Sequence, residues 1–322
     1  MIKIERNNIE HIALQYFEEL KKYIKSSKAK LPFLSTDFLF SKGELRYDII
    51  LCKPEKFGKV KKEFCIKYES EIQEYNELES QIRMAITKDE KEKCKQEIEK
   101  TDYCEFRMYM KERYACFIKK YGSWLSEELK VDTCPYCNRQ YTFTINSKKK
   151  TRPQFDHFLP KSKYPYLALS FYNLVPCCPV CNLIKKEDEV DYHPYIKGFN
   201  DEYQFSVNHF DYILGRSKEI KILLKKTSNQ KSRNRNIETF ALNELYAHHN
   251  DYAQEIIDKA HAYNDDYYNG IIEVFSAINK TPSEINRLIF GNYIENAALE
   301  RRPLSKLTKD ILEQCCVQIV CK

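Results

Sequence analysis

A chain of 322 residues has room for about two compact units of ~150 residues, and with 43% hydrophobic and 31% charged residues it can bury a core and is not disordered by composition. Only 7 glycines stand against 24 tyrosines and 18 phenylalanines, and neither GxGxxG nor GxxxxGK(S/T) occurs. That excludes collagen-like repeats, glycine-rich linkers and glycine-fingerprint nucleotide sites, while a net charge of +6 is too modest to announce a polyanion partner by itself.

The opening residues, Met1-Ile2-Lys3-Ile4-Glu5-Arg6, lack the apolar stretch of an export signal, and no run approaches the ~20 apolar residues of a membrane span. The 13 cysteines, an odd number, favour reduced thiols or metal ligands over a disulfide framework. The expected location is the cytoplasm, with no membrane partner. Residues 8–25 read as an amphipathic helix. From Tyr68, the positions Tyr68, Ile72, Tyr75, Ile82 and Ile86 recur with helical spacing. Thr87-Lys88-Asp89-Glu90 fits a capping box that starts the next helix, and an aromatic-rich helix is expected from Phe106 to about Leu129.

Between Val131 and Phe199 the texture changes: prolines accumulate, helical periodicity disappears, and cysteines pair. After it, Tyr203–Leu214 and Ile220–Leu224 read as short strands. Ile237, Ala241, Leu245, Tyr252, Ile256, Ala260 and Tyr263 trace one face of a long helix that also carries His248 and His249. Thr281-Pro282-Ser283-Glu284 is a second capping box with proline at the first helical position, and a last helix carries Leu304, Leu307, Ile311 and Leu312. The fold class expected is α+β, mainly helical around a small central core. Its parts are a helical region 1–130, the core 131–198, and a carboxy-terminal region 199–322 of short strands followed by helices.

Cys134-Pro135-Tyr136-Cys137 and Cys178-Pro179-Val180-Cys181 are two matched CxxC turns flanking residues 138–177. Each turn aims two thiolates at one ion, and two turns close a tetrahedral structural zinc site. A redox CxxC is the competing reading; Cys177 breaks the symmetry and is left out of the ligand set. Basic residues bracket the centre at Lys148, Lys149, Lys150, Arg152, Lys161 and Lys163. A second run includes Arg216, Lys218, Lys221, Lys225, Lys226, Lys231, Arg233 and Arg235. Both suit a phosphate backbone, and both are also what a solvated loop looks like.

Inside the cysteine frame lie Phe155-Asp156-His157-Phe158, then Asn173-Leu174-Val175-Pro176, and Asn182 directly after the last cysteine. The array Asp156-His157, Asn173, Asn182 within two CxxC pairs resembles an HNH endonuclease of the His-Me finger (ββα-metal) class. Asn182 stands where the class name expects histidine, as in the HNH domains of RNA-guided CRISPR nucleases. The chemistry agrees with the likeness. The Asp156 carboxylate and Asn182 carbonyl are hard oxygen donors suited to catalytic Mg²⁺ or Mn²⁺, and His157 is the natural general base on an attacking water. Adjacent strand residues point to opposite faces, so Asp156 and His157 share one site only where the backbone bends or twists. The resemblance implies that Asn173 sits between two strands and orients His157. Lys185 and Lys186, one turn beyond Asn182, and Lys161 are the expected phosphate contacts. His193 reads as a packed structural histidine, and the His248-His249 pair as bland.

The runs Asn182–Lys186, Phe240–Tyr246 and Arg302–Ile311 resemble the nuclease subunits of Septu-type and retron-associated bacterial anti-phage systems. This likeness implies a defence effector that cuts nucleic acid, DNA before RNA, beside an ATPase partner. Two other readings stay open: an RNA-cleaving HNH effector, and a zinc-dependent nucleic-acid-binding module without catalysis.

Overall fold

In a computed structural model the chain is an α+β protein dominated by helix; residues 1–26, 30–199, 202–228, 234–263 and 265–315 are described. The elements run α1 (Ile9–Ser26), α2 (Phe33–Leu39), β1 (Phe40–Ser41), β2 (Glu44–Leu45), α3 (Tyr47–Ile50), α4 (Phe57–Lys67), α5 (Glu69–Met84), α6 (Lys88–Ile98) and α7 (Asp102–Leu129). The central part holds β3 (Gln154–His157), β4 (Leu174–Cys177) and α8 (Pro179–Lys185). Then follow β5 (Tyr203–Val207), α9 (His209–Ile213), β6 (Ile222–Lys226), α10 (Arg235–Thr239), α11 (Leu242–Tyr246), α12 (Asn250–Ala262), α13 (Asp265–Ser276), α14 (Pro282–Phe290) and α15 (Ser305–Gln314). Among the described residues the strands pair two by two, as β1–β2, β3–β4 and β5–β6. Among the described residues no helix is long and apolar enough to cross a membrane.

Two compact units form, and they divide the chain differently from the linear three-part organisation expected. One, the aromatic unit, is Glu5–Leu129 with Phe155–Val175; the other, the cysteine unit, is Met1–Ile4, Lys130–Gln154 and Pro176–Lys322. The chain passes between them within β3 and again within β4.

The aromatic unit is built as its sequence periodicity requires. Helix α1 turns Ile12, Ala13, Tyr16, Phe17, Leu20 and Ile24 inward, and α6 opens with the Thr87–Glu90 capping box, both reciprocal hydrogen bonds being made. Its core is a cluster of rings. Phe64 stacks on Tyr166 at 4.4 Å and on Phe106 at 5.3 Å, and meets Phe38 edge-on at 4.8 Å; Tyr16 packs edge-on against Phe117 and Phe171. Tyr166 and Phe171 belong to the central segment, so residues 155–175 are anchored by filling the core that α1, α2, α4 and α7 leave open. The aromatic density of α7 is therefore packing.

In the cysteine unit β5 and β6 are antiparallel from Tyr203↔Lys226 to Val207↔Ile222, with Tyr203, Phe205, Val207, Ile222 and Leu224 buried on one face. Polar residues of α15, the buried Asp310 and the half-buried Gln314, serve the backbone of β5. Asp310 Oδ2 accepts from Phe205 N at 2.8 Å, Gln314 Oε1 accepts from Val207 N at 3.0 Å, and Gln314 Nε2 donates to Phe205 O. The Thr281–Glu284 capping box of α14 forms as read from the sequence.

Two expectations are corrected here. The strand from Tyr203 ends at Val207, because the Asn208 side chain accepts from Lys221 N and donates to Glu219 O, turning the chain into α9. The long helix expected from Ile237 to Tyr263 is broken into α10, α11, a 3-10 turn at Ala247–His249 and α12, with Ala241 in the left-handed region at φ 45°. Lys231 and Arg233 of the second basic run lie outside the described residues.

Candidate metal centre and acid–base site

The first CxxC turn begins where α7 has ended, with Cys134 N donating to Gln140 O and Asn138 N to Cys134 O. Asn138, in the left-handed conformation at φ 51° that asparagine tolerates, ties the turn to α15. Its amide donates to Thr133 Oγ1 and Leu299 O, its Oδ1 accepts from Lys306 N, and its carbonyl accepts from Leu304 N. The second turn is the amino end of α8, where Cys178 is the N-cap and Pro179 takes the first helical position, whose N–H needs no partner.

The four sulfurs of Cys134, Cys137, Cys178 and Cys181 are buried and lie within 4.8 Å of one another. Cys137 Sγ and Cys178 Sγ are 3.9 Å apart, close to the ~3.8 Å edge of a tetrahedron with Zn–S bonds of about 2.3 Å. Cys177 is buried but outside the cluster, as expected. Backbone amides point at the sulfurs: Arg139 N at Cys137 Sγ and Cys181 N at Cys178 Sγ, each at 3.4 Å. Burial pushes the Cys134 thiol up, whereas hydrogen bonds from Cys134, Cys137 and Cys181 hold Cys178 well below the ordinary thiol range. Four buried cysteine sulfurs facing one point are a set that a divalent cation completes. The donors fit zinc.

Asp156 and His157 close β3, in the aromatic unit. Three successive residues, Phe155, Asp156 and His157, are buried, so this strand does not alternate between core and solvent. His157 Nε2 lies 3.0 Å from the carbonyl oxygen of Ala168. A carbonyl only accepts, so Nε2 carries a proton, and in the neutral ring Nδ1 is then the nitrogen with the lone pair. The Tyr114 ring of α7 packs edge-on against the imidazole at 4.3 Å, and its hydroxyl donates to Phe155 O.

Asn173 is fully buried at the end of the 3-10 turn that precedes β4. Its Oδ1 accepts from Leu159 N at 2.8 Å, and its Nδ2 donates to Leu159 O at 3.0 Å and Leu167 O at 3.1 Å. It thus clasps both ends of the 159–168 loop, whose last carbonyl holds His157. Asn173 makes these bonds to Leu159 and Leu167 in the loop that leads to Ala168.

Asn182 lies in the cysteine unit, in the first turns of α8, where its Nδ2 donates to Gln154 Oε1 at 2.6 Å. Its Oδ1 is the atom that the expected Mg²⁺ or Mn²⁺ site would use. Of the expected phosphate contacts, Lys186 is exposed just after α8, and Lys161 Nζ sits 5.4 Å over the Tyr114 ring. Lys185 corrects the expectation: it is 0% exposed, since α8 turns this position inward, and it is no surface contact for phosphate. His193 is buried with Nδ1 accepting from Tyr195 N, consistent with a packed histidine.

Sequence reasoning missed three groups. Tyr114 and the Ala168 carbonyl are set by tertiary packing and carry no local signature. His249 accepts a hydrogen bond from Arg139 Nε at 2.8 Å, two residues beyond Cys137; burial, then Arg139, lowers its pKa. The sequence position of His249 on an apparent helix face concealed that partner.

No family model, no curated protein and no solved structure matches the chain.

Proposed function

We propose that this protein is a metal-dependent endonuclease of the HNH type that hydrolyses phosphodiester bonds of nucleic acid, DNA before RNA. The observation that carries the reading is the tautomer of His157: with Nε2–H committed to Ala168 O, the basic nitrogen is Nδ1. A neutral imidazole held in this way is what a general base on water requires. Asp156 precedes it in the chain, and Asn182 lies at the start of the helix that follows β4. The order strand, loop, strand, helix agrees with a ββα-metal motif.

In this reading the Asp156 carboxylate and the Asn182 Oδ1 hold Mg²⁺ or Mn²⁺. Bound there, such a cation supplies charge compensation at the phosphate and the leaving oxygen. His157 Nδ1 takes the proton from the attacking water, and Ala168 O stabilises the imidazolium that forms. Asn173 keeps the Ala168 carbonyl in place. Lys161 and Lys186 meet neighbouring phosphates. The zinc-bound cysteines give structure and take no part in the chemistry. The resemblance of Phe240–Tyr246 and Arg302–Ile311 to anti-phage nuclease subunits supports a place as the nuclease of a defence complex beside an ATPase partner.

The test is cleavage of supercoiled plasmid, total RNA and a small aryl phosphodiester, with and without Mg²⁺ or Mn²⁺. Metal-dependent hydrolysis is expected to fall about 10²-fold or more in His157→Ala, the scale of a lost general base. Hydrolysis that survives this substitution, or no hydrolysis even of the small diester, would overturn the reading in favour of a binding module.

A further inference from the structure

Within the cysteine unit, residues 133–151 form an arm whose base is the first cysteine turn. Thr133 bridges Tyr141, and farther out Ile145 bridges Thr151 through a pair of hydrogen bonds of 2.8 and 3.1 Å. Between the bridges Thr142 is buried and doubly held: its N–H donates to Asp132 O at 2.9 Å and its hydroxyl to Val131 O at 2.6 Å. Side chains of an extended segment alternate, so pinning Thr142 inward sends both its neighbours outward. Tyr141 and Phe143 are accordingly 50% and 52% exposed, with rings stacked on each other at 4.5 Å and 22°. Ile145, next on the same face, is also 50% exposed. The tip beyond it carries Lys148, Lys149 and Lys150, all exposed, and the chain has no acidic residue between Asp132 and Asp156.

Two outward, stacked rings leading to a lysine tip hold half of their aromatic surface in water. Rings and tip match the two surfaces of an unpaired polynucleotide, whose bases stack on aromatic faces and whose phosphates meet the cations. In a duplex the base faces are already stacked on each other, so the rings would have no partner. We propose that this arm binds single-stranded nucleic acid, with Tyr141 and Phe143 as the stacking platform and the three lysines as the phosphate contact. The proposal deepens the nuclease reading by naming the substrate class as single-stranded or locally unpaired. It stands on binding, so it fails separately from the cleavage reading.

The experiment is equilibrium binding, by fluorescence anisotropy, of the full-length chain carrying His157→Ala to a 20-nucleotide oligothymidine, a 20-nucleotide oligouridine and a 20-base-pair duplex. Both single strands are expected to bind about tenfold or more tightly than the duplex. Tyr141→Ala with Phe143→Ala should weaken single-strand binding about tenfold or more, the scale of lost base stacking, and leave duplex binding where it was. Tyr141→Phe should retain binding, because the ring remains. Replacing the three lysines by glutamine should lower the slope of log affinity against log salt by about 2, from ~0.7 per single-strand phosphate contact. Equal binding of strand and duplex, unchanged affinity in the double alanine variant, or no binding to either oligonucleotide would each overturn the proposal.

Discussion

At the scale of single residues, the candidate site is governed by how completely its polar atoms are committed. Asn173 makes three side-chain hydrogen bonds to main-chain atoms while fully buried, so its amide replaces water for Leu159 and Leu167. Truncating it deprives the part-buried N–H and carbonyl of Leu159 of this partner, each costing ~1–3 kcal/mol if no water enters, while Leu167 O keeps the Ser170 N–H. Asn173→Ala is therefore expected to lower stability by about 2–4 kcal/mol in urea denaturation, and to lower small-diester hydrolysis through the misplaced Ala168 carbonyl. Unchanged stability with full activity would show that the loop needs no clasp. Asn173→Asp keeps the acceptor for Leu159 N but sets a carboxylate against two carbonyls, and should be at least as damaging. The identities of Asp156, His157 and Asn173 stood out in the sequence because motif spacing is local. What each touches did not, since Tyr114 and Ala168 reach His157 only through tertiary packing.

At the scale of elements, the polar residues of α15 distinguish it from an ordinary buried helix. Lys306 and Asp310, one turn apart and both buried, form an ion pair of 3.0 Å, and Asp310 also accepts from Phe205 N of β5. Burial raises the Asp310 pKa, while Lys306 and the Phe205 N–H oppose that rise. Removing one partner leaves the other charge buried and uncompensated, which costs ~3–5 kcal/mol. Asp310→Ala should accordingly destabilise by that amount, and the pair Lys306→Met with Asp310→Leu should recover part of it, although Phe205 N then loses its acceptor. Equal stability of the single and double variants would argue that the pair contributes nothing beyond packing. None of this was legible in the linear pattern, where Leu304, Leu307, Ile311 and Leu312 marked a last helix and its polar positions had no visible partner. The capping boxes at Thr87 and Thr281, by contrast, were legible because a cap is satisfied within four residues. The helix break at Ala241 was not: an alanine in the left-handed region costs ~1–2 kcal/mol and no local signal predicts it. Beyond that break, α11 buries Leu242 and Tyr246, and the Tyr246 hydroxyl reaches Cys137 O at 2.6 Å.

At the scale of the whole molecule, chain order and compactness part company. The boundary near residue 130 was readable, because α7 ends and the paired cysteines begin just after it. That Phe155–Val175 joins the aromatic unit was not, since Tyr166 and Phe171 look the same in sequence whichever core they fill. The two cysteine turns therefore do more than bind one ion: both lie in the cysteine unit, on either side of a segment that leaves it and comes back. Closing that excursion is what a zinc ion would accomplish, by tying Cys134 and Cys137 to Cys178 and Cys181 across the residues between. Structural zinc supplies an apparent ~10–16 kcal/mol at neutral pH, and its loss also frees four buried thiols. Elemental analysis of the purified chain is expected to find one zinc per molecule. A thiol-competent chelator should then lower the melting temperature by about 20 °C or more, at ~2–4 °C per kcal/mol for a unit of this size. Re-adding zinc should restore the melt, whereas Mg²⁺ should not, because thiolates select the softer ion. A melting curve indifferent to the chelator, in a chain shown to have lost its zinc, would mean that α8, Asn138 and α15 hold the turns together on their own.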